Sequence, residues 1–193
     1  MKSHDIRTVL IRIGVCLVLA AMISLFFWQR GIRTAQSRAE YYALTLRDAI
    51  PAPQGAVPET RLDNTMPTLS VDGIDFVGIL EMPRYGSMLP VCGDWGRPSK
   101  YPRLFHGSVY DRTLQIGGSS QTGQLDFFKE ISVGDEVCFT DMAGNRYSYA
   151  VTDLRYVKNA DRDALQSRSA SLTLFIKNEY AFEYLLVFCD TPN

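Results

Sequence analysis

Histidine is almost missing from this chain: His4 and His106 are the only two in 193 residues. Proton transfer near neutral pH relies most often on imidazole, so the C-terminal nine-tenths of the sequence offers one candidate for it. Long runs of one charge are missing too. Twenty Lys and Arg stand against 21 Asp and Glu, for a net charge of -1, and the basic residues are scattered singly. The basic face of a nucleic-acid binder is therefore not there. Cysteine is scarce as well. Of four, Cys16 lies in an apolar run, and Cys92, Cys138 and Cys189 remain. An odd number cannot complete a disulfide framework, and none of the spacings is that of a metal-ligand set. Buried or half-buried thiols are the ordinary reading, with one bridge among the three as the alternative. No metal or other cofactor is expected, and there is no internal repeat or low-complexity tract.

Apolar material is plentiful, at 46% hydrophobic and 11% aromatic residues. That is enough for a buried core in one domain of ordinary size, with a segment or two to spare. From Ile13 to Trp28 the sequence reads IGVCLVLAAMISLFFW without a charge. Extended back through Val9, Leu10 and Ile11, it reaches about the 20 residues that cross a bilayer core. A cleaved signal peptide would be shorter and would end in small residues. Here Leu25-Phe26-Phe27-Trp28 is followed by Gln29 and Arg30, which suits an interfacial belt. The expectation is an uncleaved transmembrane helix over 9–28 behind a cytoplasmic tail, 1–8. Lys2, Arg7 and Arg12 nearly balance Arg30, Arg33 and Arg38, so the positive-inside rule is close to a tie. The short tail and large C-terminal domain favour the N-terminus inside and the domain outside.

Gly31 to Ala49 carries Ala35, Ala39, Tyr42, Ala43 and Leu46 at helical spacing, which predicts a juxtamembrane helix. Pro51, Pro53, Gly55 and Pro58 end it, and the stretch to Pro67 reads as a tether, giving helix and linker over 29–67. From 68 to 193 the pattern is one of strands. Phe76–Leu80, Met88–Cys92 and Thr113–Ile116 are short runs, the last stopped by Gly117-Gly118. Gly93 to Pro102 reads as a loop and Leu125–Phe128 as a helical turn. Glu136–Thr140 and Tyr147–Asp153 form a hairpin around Gly144. Asp161–Ser167 reads as a short helix or loop, and Ser171–Ile176 and Tyr184–Cys189 close the chain. Seven or eight short strands with one or two small helices predict a mainly β fold, a closed or nearly closed barrel.

The order of these motifs resembles sortases. Gly78-Ile79-Leu80-Glu81-Met82-Pro83 followed by Leu89-Pro90-Val91 is similar to the opening G-x-I-x-I-P and LPV strands of that family. Gly134-Asp135-Glu136-Val137, Phe139-Thr140 and Gly144-Asn145-x-Tyr147-x-Tyr149-x-Val151 resemble its G-D-x-V…G-x-x-Y-x-Y-x-V hairpin. Leu172-Thr173-Leu174-Phe175 resembles the strand that delivers the nucleophile. Val187-x-Cys189-Asp190 resembles the ending of class B/D-type sortases. The resemblance covers about residues 70 to 190. It implies an eight-stranded sortase barrel on the outer face of a Gram-positive-type membrane.

Sortases are cysteine transpeptidases, which need a thiol nucleophile, a histidine and an arginine. By the resemblance, the cysteine position falls on Lys177, the histidine position on Ser119 and the arginine position on Tyr184. All three are substituted. The implied function is a catalytically inactive sortase-like module that binds or assists in cell-surface protein anchoring or pilus assembly. Its partners would be cell-surface proteins, sorting-signal peptides or an active sortase, with Tyr110, Tyr180 and Phe182 as aromatic contacts in the cleft. Two arrangements for a working enzyme stay open: Ser119 activated by a neutral Lys177, and Cys92 paired with His106, which is expected in a loop about ten residues before Ile116.

Overall fold

The computed structural model describes residues 3–51, 64–96, 99–159, 162–165 and 169–192. The expected anchor and juxtamembrane helix are one continuous helix, α1 (Ser3–Ala49). At 1.5 Å per residue it is roughly 70 Å long. From Ile13 to Trp28 it is apolar all round, and the segment is unpacked, with Ile11, Leu17 and Phe27 each about two-thirds exposed. Among the described residues this is the one helix long and apolar enough to cross a membrane. Its C-terminal part is amphipathic and docked: Ala39, Ala43 and Leu46 are buried against the barrel. Ile50 N–H still bonds the Leu46 carbonyl at 2.8 Å, and Pro51 then stops the helix. Of the tether expected over 51–67, residues 52–63 lie outside the described set, and 64–67 are irregular backbone that buries Met66 in the core.

Nine strands follow: β1 (Leu69–Val71), β2 (Ile74–Met82), β3 (Ser87–Cys92), β4 (Arg103–His106), β5 (Leu114–Ser119), β6 (Glu136–Asp141), β7 (Arg146–Val157), β8 (Leu172–Asn178) and β9 (Glu183–Asp190). They pair in the order β1-β2-β3-β4-β5-β8-β9-β7-β6, and β6 returns to β2. Strands β2 to β9 thus close an eight-stranded barrel, with β1 paired to the start of β2 beside that closure. The expected barrel is what forms. Short 3-10 turns occupy Pro83–Tyr85 and Asp126–Lys129, and α2 is a single turn, Arg162–Leu165. Residues 161, 166 and 167 of the segment expected as a short helix or loop lie outside the described set.

Alternation along the strands fills the interior with Phe76, Leu80, Leu114, Ile116, Phe139, Leu172, Leu174 and Val187, all essentially inaccessible. The buried polar residues are bonded. Asp141, fully buried at the end of β6, accepts hydrogen bonds from the Ala143 and Asn145 backbone at 2.9 Å each and from Asn145 Nδ2 at 3.1 Å. It also accepts from the hydroxyls of Tyr110, at 3.0 Å, and Tyr147. A carboxylate taken out of water needs such donors.

Three sequence expectations change here. Gly117-Gly118 does not stop β5, which continues to Ser119 in parallel register with β8, from Leu114↔Leu172 to Ser119↔Lys177. His106 is not in a loop but ends β4, opposite Gln115. Tyr110, expected in the cleft, turns its hydroxyl to Asp141 because that buried charge requires donors.

A second buried carboxylate ties the barrel's turns together. Asp135 accepts from Arg84 Nη1 at 2.6 Å, from the Tyr85 hydroxyl and from Ser132 N–H at 2.9 Å. Burial alone would raise its pKa, but the donors Tyr85, Arg84 and Ser132 together hold it below the ordinary carboxylate range. A depressed carboxylate stabilises the fold above its unfolded value near ~3.9 and loses that contribution as pH falls through the folded value. Asp135→Asn is therefore expected to cost about 1–3 kcal/mol at pH 7. Urea titrations should show the difference from the parent chain shrinking as the pH drops below ~4.

Candidate functional site

The ends of β5 and β8 and the start of β9 lie side by side. Ser119 is in register with Lys177, and Lys177 with Tyr184. With strands about 4.8 Å apart, the three positions form a row roughly 10 Å long. They line one cleft of about 390 Å³, together with Trp95, Arg103, Phe105, Gln121, Gln124, Phe175 and Glu179. The three positions named from sequence are thus brought together.

Their chemistry is muted. Ser119 N–H donates to Gln124 Oε1 at 2.8 Å, and Ser119 Oγ accepts weakly from Gln121 N–H at 3.4 Å. Lys177 is 54% exposed and its Nζ pairs with Glu179 Oε2 at 3.4 Å. A lysine general base needs the opposite setting, desolvated and away from a carboxylate. No hydrogen bond joins Ser119 to Lys177 among the described residues. Neither cysteine nor histidine lines this cleft in the described set.

The thiols are elsewhere, Cys92 in the wall of a separate cavity with Tyr42 and Tyr101. Cys92, Cys138 and Cys189 are buried and free, so no bridge forms among the three. Burial raises the pKa of each, and Cys92 Sγ sits 3.3 Å from Ser99 Oγ. Cys92 is in register with Arg103 on β4, so His106 stands three residues further along, about 10 Å away. The structure does not bring Cys92 and His106 together. Among the described residues no group of three or more His, Cys, Asp or Glu is placed to hold a metal.

Sequence reasoning missed the cleft's opposite wall. Trp95, Phe105 and Phe175 form a ring cluster, with centroids 5.0, 5.5 and 5.2 Å apart. Arg103 stacks its guanidinium 4.4 Å from the centroid of Trp95 and donates to the Trp95 carbonyl at 2.9 Å. A guanidinium thus enters the cleft from β4, while Tyr184 occupies the position on β9 where the resemblance places arginine. Gly117 makes the cluster possible: a Cβ there would fall 2.2 Å from Phe175 Cζ and 2.8 Å from Trp95 Cη2. The available signal was Arg103 and Phe105 at i and i+2, one face of a strand. Tyr180 and Phe182 are on the β8–β9 turn, 81% and 104% exposed, beside the cleft and not in its wall.

What the fold and cleft define is a closed eight-stranded barrel with an aromatic groove at one end, docked on a long apolar-to-amphipathic helix. That architecture is the sortase fold. The chain is similar to sortase C1 from Streptococcus agalactiae, with 19% identity, a TM-score of 0.53 and coverage of 86% of this chain and 90% of that one. It is also similar to sortase A from Corynebacterium diphtheriae, with 14% identity, a TM-score of 0.53 and coverage of 84% of each. No family model and no curated protein sequence matches the chain.

Proposed function

We propose that this protein is a catalytically silent sortase-fold module that binds peptide segments of cell-surface proteins. On this reading α1 anchors it in a Gram-positive-type membrane, with the N-terminus inside and the barrel outside. It serves surface-protein anchoring or pilus assembly as an accessory to an active transpeptidase. The observation that carries the reading is the row Ser119, Lys177, Tyr184: a hydroxyl bonded to its own loop, a solvated and ion-paired ammonium, and a phenol. Such a row has no thiolate and no imidazole with which to open a peptide bond. The facing wall retains what binding needs, since Trp95 and Arg103 are the residue types that anchor interfaces.

The test uses the full-length chain in nanodiscs with a fluorogenic sorting-signal peptide. Expected is no cleavage above the buffer rate, with saturable binding by polarisation that Trp95→Ala weakens about tenfold or more. Turnover that Ser119→Ala or Lys177→Ala abolishes would instead make the protein a Ser–Lys enzyme.

A further inference from the structure

Tyr180 and Phe182 are the most exposed large apolar side chains among the described residues, at 81% and 104%. Neither contributes to the core, and both sit on one short turn. Their position relative to α1 gives that exposure a direction. Glu179 N–H donates to Ser120 Oγ at 3.1 Å, and Ser120 N–H donates to the Lys177 carbonyl at 2.9 Å, which fastens the turn to the loop after β5. Three residues on, the same loop lies against α1: a Cβ at Gly123 would be 3.0 Å from the Ala35 carbonyl oxygen.

Ala35 is only seven residues, about 10 Å, beyond Trp28 at the end of the apolar run. The β6–β7 hairpin tip marks the opposite end of the docked segment, where a Cβ at Gly144 would meet the Pro51 carbonyl at 2.3 Å. That contact is sixteen residues, about 24 Å, further along the chain from Ala35. The end of the barrel that carries Tyr180 and Phe182 is therefore the end nearest the apolar run. Lys129 completes the patch, its Nζ 5.4 Å from the centroid of the Tyr180 ring. Exposed aromatic rings beside a cation are the composition of a bilayer interface.

We propose that Tyr180, Phe182 and Lys129 form a second membrane contact, in which the turn places its two rings among the lipid headgroups of the bilayer that holds α1. The cleft, one residue from this turn at Glu179, is then held beside the lipid surface. Rigid attachment through both α1 and the turn fixes its height and its tilt, which a single helix would leave free. This inference rests on the anchoring reading above.

The test is a set of full-length chains carrying Cys16→Ala and one new surface cysteine, spin-labelled and placed in nanodiscs with anionic lipid. The three buried thiols stay unlabelled. Labels go at Ala181→Cys, between the two rings, at Ile23→Cys in the apolar run, and at Ser70→Cys on β1 as an aqueous reference. The ratio of oxygen to nickel-chelate accessibility at 181 is expected to be several-fold above that at 70. Adding Tyr180→Ser and Phe182→Ser should return it to the value at 70. A ratio at 181 equal to that at 70, with bilayer depth at 23, would overturn the contact and leave the anchor standing. An aqueous reading at 23 would bring down the anchor and the contact with it. An immobilised label at 181 without oxygen enrichment would assign the turn to a protein partner, which also overturns the proposal.

Discussion

Gly78→Val is expected to destabilise the barrel by about 3 kcal/mol or more, although valine is the better strand former. Two effects oppose each other at this position. Strand propensity favours valine by up to ~1 kcal/mol. Space forbids it: a Cβ on Gly78 would fall 2.2 Å from Phe139 Cζ and 2.6 Å from the Thr140 carbonyl oxygen. Phe139 is fully buried and cannot swing away, and the Thr140 oxygen belongs to backbone that pairs with the neighbouring Ile79. Relief would open the β2–β6 seam, the pairing that closes the barrel. Sterics therefore wins. Thermal unfolding followed by circular dichroism would register it as a large drop in Tm or loss of folded protein, and an unchanged or raised Tm would mean that the seam is looser than drawn.

The same glycine shows why much of the fold was legible. Gly78-Ile79-Leu80-Glu81-Met82-Pro83 signals a strand through its apolar run and its proline stop, and it becomes β2 with Pro83 opening the next turn. The hairpin around Gly144 and the closing strands β8 and β9 were equally local signals. So was the helical spacing of Ala39, Ala43 and Leu46, although only the fold shows that this face docks on β2 and β3.

What escaped was non-local. Strand β4 is four residues long, between Pro102 and Gly107, and meets β3 at a single register pair, Cys92↔Arg103. So short a run announces itself only by Arg103 and Phe105 at i and i+2. Gly117-Gly118 looks like a stop because glycine weakens strands, yet the bulk of Phe175 and Trp95 over Gly117 requires a residue without Cβ there. The side-chain type of Tyr110 suits the cleft, but its partner, Asp141, lies 31 residues away in sequence. In the row Ser119, Lys177, Tyr184 the first pair comes from a parallel pairing across a long crossover, which spacing alone cannot supply, and the second from the antiparallel β8–β9 pair.

Thiol chemistry separates the proposed silent cleft from a hidden cysteine enzyme by the widest margin. In full-length protein carrying Cys16→Ala, iodoacetamide is expected to leave the native chain unmodified and to add three groups after unfolding. The reasons are structural: Cys92 is 3% exposed, Cys138 and Cys189 are fully buried, and burial raises the pKa of all three. Only the thiolate attacks, so each must wait for the barrel to open. Lys177→Cys moves a thiol to a position that is 54% exposed, in register with Ser119 in the cleft. It should be alkylated roughly a thousandfold faster than the buried three, the protection that an opening free energy of several kcal/mol provides. Intact-mass spectrometry would read one rapid adduct on the variant and none on the parent. A rapid adduct on the parent at Cys92 would mean that this thiol reaches solvent and has thiolate character, and binding without chemistry would no longer describe the protein.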